Sequence, residues 1–321
     1  DLADGLSVVS AIAGTVGPLG FLSLQLSNAA GKLSFISDNA FLQTFIVLLL
    51  TLIFTFSTLS GIQKGIKILS EVNIWLTIIL GLLLFFIGPT IWLGQHFVSS
   101  NFLYLAKIRE MSLPNFDDSW VKGWTVFYWA WFLGYAPLMG LFTAGVSKGR
   151  TFRELILAVC IICPFVTNLW FNILGGNGIF IELNKPGILS TQLDTGGPAG
   201  ALFSILKELP FSFILLPIAI LLIILFMCTS ADSISYAAAI VVSGEEIPPQ
   251  KIRLFWALMI GFLTIALLRI GSEIGDQTSI NALQAFIVIT AVPVTPLIIS
   301  TLWTAPKLAL KEYAKIKKSN K

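Results

Sequence analysis

The sequence predicts an all-α polytopic membrane protein, and three observations predict it. Of 321 residues, 56% are hydrophobic and only 12% are charged, against roughly 25% charged in an ordinary soluble domain. Mean hydropathy is +0.88. The apolar residues gather into eight runs, each long enough to cross about 30 Å of hydrocarbon as a helix. A helix satisfies its own backbone polar groups, as lipid requires.

The runs fall at 4–27, 40–60, 74–97, 121–146, 154–174, 211–240, 251–270 and 280–305. The first carries Gly14, Gly17, Pro18 and Gly20 around Thr15. Small residues there let a neighbouring backbone come close, and Thr15 offers one hydroxyl to a cation. The segment 98–120 is apolar on one side only: Phe102, Leu103, Leu105, Ile108 and Met111 oppose Lys107, Arg109 and Glu110. It reads as an interfacial helix rather than a ninth span.

The fourth run is the most informative. Gly123 to Phe132 holds three Trp, two Phe and a Tyr, whereas membrane aromatics usually collect at the two interfaces. At helical spacing Phe127, Trp131, Tyr135 and Met139 share a face, and Phe132 lies one step from Tyr135. Ring faces are natural ligands for a quaternary ammonium, which neither donates nor accepts hydrogen bonds; each is worth about 2 kcal/mol when water is excluded. Packing against lipid or helices is the plainer reading. The density of rings and the Gly134/Pro137 break, where a lost backbone bond loosens the helix, argue for a site.

In the fifth run Cys160 and Cys163 have metal or redox spacing, but no second pair, and the single His96 is distant. These and Cys228 read as small core residues. The sixth run contains Thr229-Ser230-Ala-Asp232-Ser233-Ile-Ser235. A carboxylate inside a span is a functional hypothesis by default, and paired hydroxyls are hard oxygen ligands suited to Na⁺. Against this, Ser and Thr in helices often bond back to the i−4 carbonyl. Asp232 is alternatively a tie between helices near the cytoplasmic end.

Charge sets an orientation. With both ends of the chain cytoplasmic, thirteen of the 20 Lys and Arg fall inside, as the positive-inside rule requires. The basic tail 306–321 reads first as a topology signal, and more sharply as a contact for anionic lipid. Ser147-Lys-Gly-Arg-Thr-Phe-Arg-Glu154 is a short basic connection, either topological or a gate in which Arg153 and Glu154 make and break ion pairs. No metalloprotease, phosphate-loop or nucleophile-elbow motif is present, and nothing suggests an enzyme or a nucleic-acid surface. The chain starts at Asp1 without an initiator Met or signal peptide, which reads as part of a longer protein.

The fourth run resembles the betaine/carnitine/choline transporter family, whose signature is W-T-aliphatic-x-aromatic-W-x-W-W. Gly123 to Trp131 match, and Phe132 stands in place of the last Trp. The Ser147–Glu154 loop, the Thr229–Ser233 string and Ser60-Gly-Ile-Gln-Lys-Gly-Ile-Lys67 with Leu69-Ser70 are similar to the family's as well, in the right order. The resemblance implies a LeuT-type fold of two inverted five-helix repeats. Residues 1–97 would be the last three helices of the first repeat, 98–120 the interfacial connector, 121–305 the second repeat and 306–321 the cytoplasmic tail. The family's first four helices would then be missing.

The resemblance further implies a secondary transporter of the bacterial inner membrane, importing glycine betaine, choline or carnitine by alternating access. Trp131, Phe132 and Tyr135 match cage positions for the trimethylammonium group, with Phe127 beside them. Phe226, by its carbonyl, with Thr229 and Ser230, matches a sodium site. Asn73 stands where sodium-independent exchangers place an Arg, which favours sodium coupling. Thr15 matches one ligand of a second, weaker sodium site, where Ala11 and Leu138 depart from the pattern; Met139 matches a Met of the exchangers. One Na⁺ is therefore expected as coupling ion, with no other cofactor, and the family implies a homotrimer. The alternatives are a sodium-independent exchanger, a proton-coupled choline carrier, or a truncated chain that binds without transporting.

Overall fold

Lipid-length apolar runs become helices in the computed structural model, which describes residues 2–32, 38–60, 67–113, 117–274 and 276–319. The chain runs through α1 (Leu2–Lys32), α2 (Ala40–Ser60), α3 (Lys67–Ile87) and α4 (Thr90–Ser112). A π-helical stretch, Val121–Thr125, enters α5 (Val126–Val146). Next, α6 (Phe152–Ile156) passes through a second π stretch, Leu157–Ile162, into α7 (Cys163–Asn184). The short α8 (Ile188–Gly196) and α9 (Ala201–Glu208) flank a 3₁₀ turn, Pro198–Gly200. Then follow α10 (Ser212–Ser243), α11 (Gln250–Ile274), α12 (Asp276–Ala291) and α13 (Thr295–Ser319). Among the described residues there is no strand, and eight helical spans are long and apolar enough to cross a membrane. The chain is an all-α, multi-pass membrane protein. Gly61–Ile66 of the Ser60–Lys67 string, with Lys64, and Lys321 of the tail lie outside the described residues.

The third span differs from the 74–97 expected. The helix occupies Lys67–Ile87, and Thr90–Ser112 is a separate helix that starts earlier than the expected connector. Proline lacks an N–H and disfavours helical backbone in the residue before it, so Gly88-Pro89 ends α3 whatever the hydropathy. The Phe85 carbonyl, left without the N–H of Pro89, takes the Thr90 hydroxyl instead (2.8 Å). The Leu84 carbonyl keeps the Gly88 N–H (3.1 Å) and also accepts from Asn177 Nδ2 on α7 (3.3 Å).

Two cores result. The larger packs α1 against α2, α5, α10, α11 and α12 around Val16, Leu19, Leu50, Phe54, Leu138 and Ile260. The smaller joins α3, α7, α9 and the first half of α10 around Leu84, Leu206 and Leu215. The first run's glycines act as their spacing suggests. A Cβ on Gly20 would come within 2.7 Å of Leu283, and one on Gly17 would collide with Ile287, so α12 lies directly on α1. Cys228 is buried, but Cys160 and Cys163 are exposed. That corrects the expectation of three core cysteines: the π stretch turns its apolar face outward, where sulfur behaves as one more lipid-compatible group.

The α7–α8 turn hangs on one carboxylate. Glu182 accepts from the N–H of Gly187 (2.8 Å), Leu189 (2.8 Å) and Ser190 (3.4 Å) and from the Ser190 hydroxyl (2.6 Å). These are the otherwise orphaned donors of a helix start. Glu182→Ala should therefore speed hydrogen exchange at Gly187, Leu189 and Ser190 and leave α10 amides unchanged. Equal protection in both proteins would show that the carboxylate does not hold the turn.

Candidate functional site

One helix, α5, carries the expected rings, and α1 seats them. α5 presents Trp131, whose indole N–H donates to the Gly14 carbonyl of α1 at 2.9 Å. Tyr135, one turn further on, meets α1 at Thr15, whose hydroxyl lies 3.5 Å from the phenol oxygen and 3.0 Å from the Ala11 carbonyl. Phe127 stacks on Trp131 with centroids 5.8 Å apart and planes 20° apart, and the Phe132 ring lies 5.9 Å from Trp131, tilted by 33°. The result is a continuous wall of rings. Its irregularity lies at the beginning, in the π stretch Val121–Thr125; α5 runs on through Gly134 and Pro137. Gly134 serves contact instead, since a Cβ there would strike Ser10 and come within 3.2 Å of Ala291.

The wall faces a cavity of about 350 Å³. Trp131, Phe132 and Tyr135 line it from α5, Thr15 and Gln25 from α1, and Phe226 and Ser230 from α10. Phe127 extends the wall by stacking but does not line the cavity. No Asp, Glu, Lys, Arg or His is among the lining residues. Gln25 and Leu22 went unnoticed in the sequence, although with Pro18 they continue the Gly14/Thr15 face at helical spacing. Leu202, on α9, carries no signal along the chain, because only packing brings it there.

The hydroxyl turn of α10 is close by. Thr229 Oγ1 donates to the carbonyls of Leu225 and Phe226, both at 3.0 Å, and Ser233 donates to Thr229 (2.8 Å). Oxygen lone pairs of Thr229, Ser230 and the Phe226 carbonyl remain for a cation, but α10 is unbroken here, and three oxygens form only part of a shell. Asn73 is buried, and its Oδ1 has no hydrogen-bond partner among the described residues. Deeper in α10, Asp232 is fully buried and takes the Thr58 hydroxyl of α2 at 2.6 Å. The Thr58 carbonyl in turn accepts from Arg253 of α11 at 2.8 Å. Asp232 is thus a tie between helices.

At the basic connection, Glu154 closes a capping box with Thr151 and lies 4.0 Å from Arg150. Arg153 has no ion pair among the described residues. The pair that bridges two connections is Lys148–Glu246, at 3.0 Å.

The betaine/carnitine/choline transporter family model matches residues 1–314. This chain belongs to that family. It is 40% identical over 310 residues to glycine betaine transporter 2 of Vibrio parahaemolyticus, covering 96% of this chain and 56% of the relative. A probable glycine betaine transporter of Desulfitobacterium hafniense is 32% identical, over 90% of this chain and 58% of the relative. An ectoine/glycine betaine/proline transporter of Corynebacterium glutamicum is 34% identical, over 91% of this chain and 48% of the relative. The chain spans about half the length of these curated relatives.

Proposed function

We propose that the protein containing this chain imports a quaternary ammonium solute, glycine betaine first, across a bacterial inner membrane. One observation carries the reading: a ring-walled cavity of about 350 Å³ with no ionised side chain in its lining. A permanent cation that cannot hydrogen-bond gains from ring faces. The zwitterion needs no counter-carboxylate, and Thr15, Gln25 and Ser230 offer hydrogen bonds to its acid end. Family membership and relatives named for glycine betaine support the same choice.

On this reading Trp131, Phe132 and Tyr135 cage the head group, with Phe127 supporting Trp131. Na⁺ is a co-transported substrate held in part by Thr229, Ser230 and the Phe226 carbonyl, with Thr15 as a weaker ligand elsewhere. Substrate, water or other parts of the whole protein complete its shell. Access alternates by rocking of inverted LeuT-type repeats, with both ends of this chain cytoplasmic, Arg153 and Glu154 at the inner gate, and three copies assembling. The test is uptake of radiolabelled glycine betaine and choline by cells lacking their own carriers and expressing the full-length protein. We expect saturable glycine betaine uptake in Na⁺ that collapses in K⁺. Uptake that persists in K⁺ would replace sodium coupling by exchange or proton coupling. No uptake of either solute in either medium would overturn the assignment.

A further inference from the structure

Trp131 is held by a carbonyl that a proline has left without its usual donor. In an α-helix the N–H of residue i bonds the carbonyl of residue i−4, and Pro18, inside α1, stands four residues after Gly14. Proline has no N–H to give. The Gly14 oxygen therefore lacks its in-helix partner, and the Trp131 indole supplies one from α5 at 2.9 Å. Gly14 meets a second condition. A Cβ there would lie 2.7 Å from Tyr135 Cδ2 and 3.2 Å from Trp131 Cδ1, so only glycine lets both rings approach. Glycine gives access and proline leaves an acceptor free. A half-buried indole N–H normally requires a partner.

We propose that Pro18 is a positioning residue: by withholding an N–H it reserves the Gly14 carbonyl for the Trp131 indole and so fixes the angle of the ring wall. What the wall receives rests on the function proposed above; the seat itself rests on α1 and α5 alone. Pro18 also lines the cavity, so a simple packing role is the competing account.

The experiment is Pro18→Ala in the full-length protein. Alanine restores the N–H at position 18 and is the better helix former, so resistance to heat in detergent should hold or rise. The KM for glycine betaine should nevertheless increase by about fivefold, the worth of one ordinary hydrogen bond. Without substrate, the Trp131 indole resonance, identified through Trp131→Phe, should shift and exchange its proton faster. In the Trp131→Phe background the same proline change should leave KM unaltered.

An unmoved indole resonance would overturn the proposal, because the carbonyl would then be serving two donors at once. An equal KM change in both backgrounds, or loss of the folded protein, would also overturn it by assigning Pro18 to packing. If the unaltered protein takes up no glycine betaine, the indole readout still decides the seat, and only the substrate assignment fails.

Discussion

Trp131→Ala in the full-length protein is expected to abolish measurable uptake of glycine betaine while the protein still reaches the membrane. The ring alone contributes about 2 kcal/mol to a desolvated cation, close to a thirtyfold change in affinity. The real loss should be larger. Phe127 and Phe132 both pack against Trp131, with centroids 5.8 and 5.9 Å away, and its removal takes that support from both. Trp131→Phe separates the contributions: it keeps a ring face but gives up the bond to the Gly14 carbonyl, so its KM should fall between those of wild type and Trp131→Ala. The measurement is initial uptake rate against concentration, normalised to protein in the membrane. A wild-type KM in Trp131→Ala would remove the ring wall from the substrate site altogether.

The ring wall was legible because its members sit on one helix. Phe127, Trp131 and Tyr135 follow one another at i+4, and a helix of any orientation puts them on one face. The 121–146 boundaries were legible for a related reason: Asp117 and Asp118 precede the run and Ser147-Lys148-Gly149 ends it. The opposite side of the cavity was not legible. Leu22, Gln25 and Leu202 look like ordinary span or loop residues until α1 and α9 are packed around α5, and packing is a property of pairs of helices. The third span shows a different failure. Averaged hydropathy passes smoothly across Gly88-Pro89, whereas backbone chemistry stops the helix there. Near the basic connection, Thr151 and Glu154 satisfy a capping box by local spacing, and an ion pair across two connections is formed by Lys148 and Glu246.

Thr58→Val is expected to destabilise the fold clearly although it changes little more than one atom. Valine keeps the shape of threonine and deletes only the hydroxyl, which lies 2.6 Å from the Asp232 carboxylate and 2.8 Å from the Phe54 carbonyl of its own helix. Asp232 is wholly inaccessible and Arg253 nearly so; Thr58 joins them, with its hydroxyl on the acid and its carbonyl on the guanidinium. The guanidinium also lies 5.7 Å from the Tyr236 ring centroid. A hydrogen bond to a buried charged group is worth about 1.5–3 kcal/mol, and stranding its partner costs the desolvation as well. Three helices, α2, α10 and α11, meet at this one residue, so the loss is not confined to a single contact. Thr58→Ser restores the hydroxyl and should recover most of the stability. The measurement is the temperature at which half of the detergent-solubilised protein is lost from the monodisperse peak. It should fall clearly for Thr58→Val, and little for Thr58→Ser. In an Asp232→Asn background, where no buried carboxylate needs the hydroxyl so strongly, Thr58→Val should cost distinctly less. Equal cost in both backgrounds would mean that Thr58 acts through its packing and that Asp232 is held by other groups.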